Sequence, residues 1–428
     1  MVFIAVLLVL YLAFKRRVTI YLLDISCYQP PKYYRLPISM YLEHISLDNQ
    51  FDPDSVEFQA KILEKSGFSE ETSIPPPLSC IPLRKSLSSV KEEAMTIMFS
   101  AITELIKKTN THPKTIDILI VNCSLVSPTP SLTAMIINKF KMRSNIMSFN
   151  LSGMGCSAGV ISVGMAKDLL KTHRNSVALI VSSELLNQNW YTGKNPSMLV
   201  TNCLFRMGGA AILMSSRNQD KGKAKYVLQH LIRTTKAQDD KSYNCVYEDI
   251  DSKNKPGLSI SKGILNVAGD ALKANIASLG PLVLPFSEQF RYTLSTILRK
   301  ISQTDKSYTP DFKRAFQQFC IHAGGRAVIQ EMEKRLRLGA EDVEASKMTL
   351  YRYGNTSSSS IWYELCYIEA KGRMKRGDKV WQIAFGSGFK CNSAVWKCIQ
   401  DVGYEKTNAW IDEIHKYPVA IPDLVKIN

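Results

Sequence analysis

The sequence is short of the patterns that mark several protein classes. Its ten cysteines show neither the paired spacing of a zinc site nor a compact disulfide framework. Lysine and arginine outnumber aspartate and glutamate by 54 to 38, but they are mostly scattered and no nucleic-acid-binding motif accompanies them. Repeats, heptads and low-complexity tracts are also missing. We therefore expect a globular protein of a reducing compartment without a nucleic-acid partner.

A long apolar run occurs at the N-terminus, over residues 1–14, and the basic residues Lys15, Arg16 and Arg17 follow it directly. Fourteen helical residues reach about 21 Å, which is less than the roughly 30 Å of a bilayer's hydrocarbon core. Positive charge on the C-terminal side of such a run favours a cytosolic position for the rest of the chain. Residues 1–17 are therefore predicted to form an incomplete membrane anchor in contact with lipid.

The remaining chain divides by pattern into three parts. Residues 18–85 are rich in tyrosine and proline, which is typical of a wrapping or linking segment. Residues 86–260 and 261–428 each alternate short apolar runs with helical periods, and this indicates an α/β fold with a largely parallel sheet. In the second half we expect helices over 262–300 and 312–319, a strand over 347–353, and serines that cap a helix beginning at 361.

One cysteine stands at the junction of a predicted strand and a predicted helix. A β-rich run ends at Leu151, and after the turn Gly153-Met-Gly155 the helical period starts just beyond Cys156. A helix N-terminus favours a thiolate, so Cys156 is a candidate nucleophile. The same stretch also matches the G-x-S-x-G elbow of serine hydrolases, which leaves Ser157 as the alternative.

Two residues of the second half are candidate partners of this nucleophile. His322 is one of six histidines, and the small residues after it leave room for a ligand beside the ring. Asn355 follows Gly354 at a predicted strand-to-helix junction, where an ordinary turn role is the alternative. A cysteine with two hydrogen-bonding partners is a pattern of covalent catalysis.

These residues and the segments around them resemble the plant 3-ketoacyl-CoA synthases, condensing enzymes of very-long-chain fatty acid elongation in the thiolase superfamily. The similarity runs from about residue 21 to residue 396. It rests on the following segments: SGMGCSAG, NCLFRMGGAA, DDKSY, LGPLVLPFSEQ, PDFKRAFQQFCIHAGGRAVI, YGNTSSSSIWYELCYIEAKGRMKRGD and VWQIAFGSGFKCNSAVW.

The resemblance implies a duplicated, layered α-β-α-β-α core and a decarboxylative condensation of malonyl-CoA with a long-chain acyl-CoA. Cys156 would carry the acyl group, and His322 and Asn355 would stabilise the enolate. The loop Gly386-Ser387-Gly388 would support an oxyanion hole. No metal or redox cofactor is implied. A homodimer, an endoplasmic reticulum address and partner reductases and a dehydratase of the elongation cycle are implied as well.

Three positions depart from the pattern of the family, which often has histidine where this chain has Thr235, Gln318 and Tyr351. We interpret them as structural or tuning positions. Two further functions stay open on the sequence: a type III polyketide synthase with the same catalytic residue types, and a non-catalytic subunit of an elongase complex.

Overall fold

The structure is a computed structural model that describes residues 18–302, 308–403 and 408–421. The predicted membrane anchor, residues 1–17, lies outside the described residues. Within the described ranges, no helix is both long and apolar enough to cross a bilayer.

In the described part of the chain, nine strands form the main sheet, in the order β3-β2-β4-β5-β1-β6-β11-β10-β9. A separate hairpin joins β7 to β8. The strands are β1 (Tyr21–Cys27), β2 (Ile118–Asn122), β3 (Met147–Leu151), β4 (Val177–Ser183), β5 (Gly209–Ser215), β6 (Tyr226–Thr235), β7 (Val246–Ile250), β8 (Pro256–Ile260), β9 (Gln318–Ile321), β10 (Lys379–Gly386) and β11 (Lys390–Cys398).

The order of the strands repeats across the sheet. In the first half, β2 and β4 are parallel while β5 and β1 are antiparallel additions. In the other half of the sheet, β9 and β10 are parallel, and β11 and β6 follow as antiparallel additions, although β6 belongs to residues 86–260 of the chain. The strands β2-β4-β5-β1 thus correspond to β9-β10-β11-β6, and the two halves meet where the first residues of β1 and β6 pair. This is the duplicated core that the resemblance implied. The prediction of a largely parallel sheet is wrong, however, because five of the eight strand pairs in the described sheet are antiparallel. Short apolar runs do not reveal the direction in which strands pair.

The described residues contain thirteen α-helices. They are α1 (Ile38–Leu47), α2 (Pro53–Glu64), α3 (Leu87–Ala94), α4 (Ser100–Thr109), α5 (Leu132–Phe140), α6 (Ala158–Thr172), α7 (Pro196–Leu204), α8 (Asp240–Tyr243), α9 (Ile264–Val283), α10 (Phe286–Ser302), α11 (Arg326–Leu336), α12 (Glu344–Tyr353) and α13 (Ser360–Ala370).

Two of the helices lie between the halves of the sheet. Helix α6 contacts β2 and β4 as well as β10 and β11, and α13 contacts β1, β5, β9 and β10. Helix α13 is buried along almost its whole length, with Trp362, Tyr363 and Tyr367 in the central core. Helices α4 and α9 cover the two outer faces. Burial of α13 on all sides matches its lack of a polar face.

The segment 18–85 carries more structure than a wrapping or linking role predicts. Its first part, β1, is a central strand that pairs with both β5 and β6. The helices α1 and α2 follow, and α2 packs on α7 beside the site described below. A short apolar run does not distinguish a buried strand from a linker, because pairing depends on distant strands.

Two local predictions in the second half are wrong. Residues 347–353 belong to helix α12 instead of a strand, and Gly354, with φ of 68°, ends that helix. Residues 312–319 form a short 3-10 turn and then the start of β9. The rings of Phe312 and Phe316 stack side by side against Trp381, so their spacing of four reflects packing on the sheet.

The helical region over 262–300 is confirmed, but it is interrupted. Helix α9 ends at Val283 and α10 begins at Phe286, with Pro285 between them. Proline lacks the N–H that would continue the backbone ladder, so the chain turns there.

Candidate active site

The predicted strand-to-helix elbow is present. Strand β3 ends at Leu151, a 3-10 turn spans Gly155–Ser157, and α6 starts at Ala158. Gly153 and Gly155 have φ of 66° and 65°, a conformation that favours glycine. The turn places the half-buried Cys156 immediately before the N-terminus of α6.

Glycines let the loop after β10 pack directly on this elbow. A Cβ atom on Gly155 would lie 2.4 Å from the backbone nitrogen of Ser387, and one on Gly386 would lie 2.7 Å from the carbonyl oxygen of Met154. Neither position has room for a side chain. The backbone of Ser387 is therefore held against the turn that carries Cys156.

The side chain of Asn355 is held in one orientation by two hydrogen bonds. Its Oδ1 accepts from the backbone N–H of Ser357 (2.8 Å), and its Nδ2 donates to the carbonyl oxygen of Gly324 (3.1 Å). The residue is 3 % exposed. Because these bonds use the oxygen and one amide hydrogen, the second amide hydrogen is left to bind a substrate oxygen.

His322 follows β9 directly, and its backbone N–H donates to the carbonyl oxygen of Ile383 in β10. The ring is buried, and its Nδ1 has no hydrogen-bond partner among the described residues. Burial lowers the pKa of His322 to about 4. The imidazole is therefore neutral at physiological pH and presents one N–H donor.

One cavity brings all the predicted site residues together. Its volume is about 670 Å³, and it is lined by Cys156, His322, Asn355 and the loop Gly386-Ser387-Gly388. Apolar side chains of α7, β8 and α9 form much of its remaining wall: Val200, Leu204, Leu258, Ile264, Leu265 and Ala268. Four basic residues also line it: Lys65, Lys262, Arg326 and Lys390. It can thus hold a ligand with both an apolar part and an anionic part.

The sulfur of Cys156 is a thiol in this environment, contrary to the expected thiolate. Burial raises its pKa to about 12, a hydrogen bond from Ser357 lowers it, and the charge of Glu184 raises it. Loss of solvation is the largest of these effects, because a thiolate is stabilised by water more strongly than a thiol is.

The sequence did not predict two residues that lie beside Cys156. Ser357 Oγ lies 3.4 Å from Cys156 Sγ and 3.0 Å from Glu184 Oε2. The other oxygen of Glu184 accepts from the backbone N–H groups of Ser124 and Leu125. The pKa of Glu184 is raised by burial. No local motif marks either residue, since their relation to Cys156 comes from pairing of distant segments.

The serines after Asn355 do not cap α13 with their side chains. Ser358 Oγ donates to Asn122 Oδ1 at the end of β2 (2.6 Å), and Ser359 Oγ donates to the carbonyl oxygen of Thr356. Gly159 has no room for a side chain, because a Cβ atom would lie 2.5 Å from the Ser358 carbonyl oxygen. The serines therefore attach the Asn355 loop to the first half.

The alternative nucleophile, Ser157, is fully buried, and its Oγ donates to the carbonyl oxygen of Met154. It does not line the cavity. Nor do Thr235, Gln318 and Tyr351, the positions that depart from the family pattern. Thr235 ends β6, Gln318 starts β9, and Tyr351 packs on Tyr417.

Clusters of three or more metal-binding side chains are absent from the described part of the chain.

Comparison with solved structures supports the fold. A type III polyketide synthase, 1,3,6,8-tetrahydroxynaphthalene synthase from Streptomyces coelicolor A3(2), superposes with a TM-score of 0.72 at 18 % identity, over 89 % of this chain and 99 % of that one. CsyB complexed with CoA-SH gives 0.69 at 20 % identity, over 89 % and 100 %. The chain therefore has the thiolase-like α/β fold of these structures.

Sequence comparison identifies the family within this fold. The family model for FAE1/Type III polyketide synthase-like protein matches residues 11–301, and that for 3-oxoacyl-[acyl-carrier-protein] synthase III C terminal matches residues 313–398. Two similar relatives, both from Arabidopsis thaliana, are probable 3-ketoacyl-CoA synthase 21 (59 % identity, 98 % of this chain and 92 % of that one) and 3-ketoacyl-CoA synthase 5 (58 %, 96 % and 83 %). The chain belongs to the 3-ketoacyl-CoA synthase family of condensing acyltransferases.

Proposed function

We propose that this enzyme condenses malonyl-CoA with a long-chain acyl-CoA through an acyl group carried on Cys156, as the first step of very-long-chain fatty acid elongation. One observation carries the proposal: a thiol, a neutral imidazole and an oriented amide line a single cavity with a largely apolar wall. The apolar wall suits an acyl chain, and the basic residues Lys65, Lys262, Arg326 and Lys390 suit the phosphates of CoA.

The first half-reaction transfers the acyl group. The sulfur of Cys156 bonds to the acyl carbonyl carbon, the bond from that carbon to the CoA sulfur breaks, and CoA leaves with the proton that the Cys156 thiol gives up. Negative charge develops on the carbonyl oxygen, and the backbone N–H groups of Cys156 and Ser387 are the donors proposed to stabilise it.

The second half-reaction forms the carbon–carbon bond. Carbon dioxide leaves the malonyl group, and the electron pair of the broken bond becomes an enolate. The N–H of neutral His322 and the second amide hydrogen of Asn355 donate to its oxygen. The enolate carbon then attacks the acyl carbonyl on Cys156, the sulfur leaves and takes up a proton, and a 3-ketoacyl-CoA is released.

The cellular setting is proposed from the sequence. The apolar residues 1–14 and their basic flank support a membrane anchor with the catalytic domain in the cytosol. The endoplasmic reticulum is proposed as the address on the family resemblance. The ketoacyl product requires reduction, dehydration and a second reduction before another round, so enzymes of those classes are proposed partners. A homodimer is proposed on the resemblance alone.

The test is condensation of radiolabelled malonyl-CoA with acyl-CoAs of graded length by the wild type and by Cys156→Ala and Ser157→Ala variants. We expect a labelled 3-ketoacyl product from the wild type and from Ser157→Ala, and none from Cys156→Ala. Mass spectrometry of the wild type with acyl-CoA alone should find the acyl group on Cys156. A well-folded wild type without product, beside an active relative, would support the non-catalytic alternative.

A further inference from the structure

Helix α10 turns its apolar side to solvent. Phe286 is 88 % exposed, Phe290 67 % and Leu294 43 %, and these residues lie one helical turn apart. Ile297 and Leu298, 50 % and 51 % exposed, extend the same strip. We call these five residues the α10 strip. It is a continuous apolar surface along a helix of 17 residues.

The polar side of α10 faces the protein body. Glu288, with 1 % of its surface exposed, accepts hydrogen bonds from the Tyr308 hydroxyl (2.6 Å) and the Asp311 backbone N–H (3.0 Å). It also pairs with Arg314. Farther along the helix, Ser295 Oγ accepts from the Tyr308 backbone N–H. A helix on a water-soluble surface normally has the opposite orientation, with its apolar side buried.

The hydrogen bonds of Glu288 keep α10 in this orientation, so the α10 strip cannot turn inward without breaking them. An exposed apolar strip of this size marks a surface that binds something else. The question is which kind of partner covers it.

The location of α10 bears on that question. The segment that contains Asp311, which donates to Glu288, continues along the chain to Gln317. Gln317 pairs with Lys379 at the start of β10. Lys379 pairs with Lys397, and Lys397 pairs with Val227 near the start of β6. The backbone N–H of Leu228, the residue after Val227, donates to the carbonyl oxygen of Ile20. The described chain therefore begins, at residue 18, at the end of the sheet where α10 lies, and the apolar residues 1–14 precede it in the sequence.

The same end of the sheet is basic. Exposed basic residues there include Lys313, Arg314, Lys375, Arg376 and Lys397, and Arg291 is exposed on α10 itself. The exposed carboxylates among their neighbours are Asp311 and Asp401. An apolar strip beside excess positive charge is the combination that binds a bilayer surface containing anionic lipid.

We propose that the α10 strip docks this protein on the interfacial region of an anionic bilayer. The helix lies along the surface, because its polar side stays bonded to the protein. Phe286 and Phe290 enter the boundary between headgroups and acyl chains, and the neighbouring basic residues contact the lipid phosphates. This contact does not depend on the reaction at Cys156.

A tryptophan reporter tests the proposal directly. All five tryptophans of the chain are buried: Trp190, Trp362, Trp381, Trp396 and Trp410. A Phe290→Trp variant of the full chain therefore carries one exposed indole. Vesicles of equal parts phosphatidylcholine and phosphatidylserine should shift its emission to shorter wavelength, and brominated acyl chains should quench it. An unquenched indole on vesicles that bind the protein would overturn the proposal.

Substitution tests the energetic contribution of the α10 strip. The full chain with Phe286→Ser, Phe290→Ser and Leu294→Ser should bind these vesicles about tenfold more weakly. A control carries Met40→Ser, Leu47→Ser and Leu87→Ser, which are exposed apolar residues of α1 and α3. It should bind like the wild type, and both variants should keep the wild-type Tm.

Two outcomes of the substitution experiment would contradict the proposal. Equal vesicle binding by both variants would assign all binding to other parts of the chain. A loss of dimers without a loss of vesicle binding, read by light scattering, would show that a second copy of the chain covers the α10 strip.

Discussion

The contact between Gly155 and the loop after β10 predicts that a side chain at position 155 slows acyl transfer. In a Gly155→Ala variant, the new Cβ would lie 2.4 Å from the Ser387 backbone nitrogen, so the loop must move by about 1 Å to reach van der Waals distance. A displacement of that size moves a backbone donor away from the oxygen it stabilises. We expect acyl transfer to slow by about 10²- to 10³-fold, or roughly 3 kcal/mol in the barrier.

Gly153→Ala is the matched control. Gly153 has nearly the same φ as Gly155, 66° against 65°, but a Cβ there meets nothing within 4 Å. Both variants should lose roughly 1–2 kcal/mol of unfolding free energy from the left-handed backbone. Only Gly155→Ala should also lose acyl transfer, since only its Cβ reaches the loop.

The assay is single-turnover acylation of Cys156, followed by mass spectrometry, with thermal unfolding measured in parallel. Decarboxylation of malonyl-CoA should be less affected, because its proposed donors are His322 and Asn355. If Gly155→Ala acylates as fast as Gly153→Ala, the Ser387 backbone is not a donor to the acyl oxygen and the proposed oxyanion hole is wrong.

Three further predictions concern charge and hydrogen bonding. At a fixed pH, chloroacetamide should alkylate Cys156 several-fold more slowly in Ser357→Ala and faster in Glu184→Gln, because Ser357 lowers the pKa of the thiol and Glu184 raises it. Equal alkylation rates in both variants would show that Ser357 and Glu184 do not control this pKa. Asn355→Asp should reduce malonyl-CoA decarboxylation about 10²-fold while acylation of Cys156 continues, since a carboxylate cannot donate to the enolate. Unchanged decarboxylation would show that Asn355 does not donate to the enolate oxygen. Burial raises the pKa of Glu413, but its pairs with Arg35 and Arg352 outweigh burial and lower it to about 2. Glu413→Gln should therefore cost about 1 kcal/mol of unfolding free energy at pH 7, and its difference from the wild type in denaturant titrations should shrink as pH falls from about 4.5 towards 2.

The elbow at Cys156 was predictable from the sequence because its determinants are local. Glycines at 153 and 155 set the turn, and the helical period after residue 157 sets the direction of α6. His322 and Asn355 are also candidates on the sequence, but on weaker local grounds, and their joint role is what the family resemblance implies. The structure brings them to one cavity with Cys156.

Local patterns were least reliable where packing decides the conformation. Residues 347–353 are rich in groups that suit a strand, yet they form the end of α12 because that helix packs on α13 and β9. Residues 312–319 likewise do not form the predicted helix, and Phe312 and Phe316 pack against Trp381. Burial on several sides removes the polar face by which helix and strand periods are told apart.

The sequence by itself therefore determined the strand-to-helix elbow, because its residues are near each other in the chain, and the family, because long matching segments run from about residue 21 to residue 396. Only the tertiary structure decided the protonation of Cys156, its contact with Ser357 and the orientation of α10. Ser357 and Cys156 are 201 positions apart, and the thiol's pKa depends on how completely distant segments exclude water from it. Solvent exclusion is a property of the packed chain, and no short stretch of sequence encodes it.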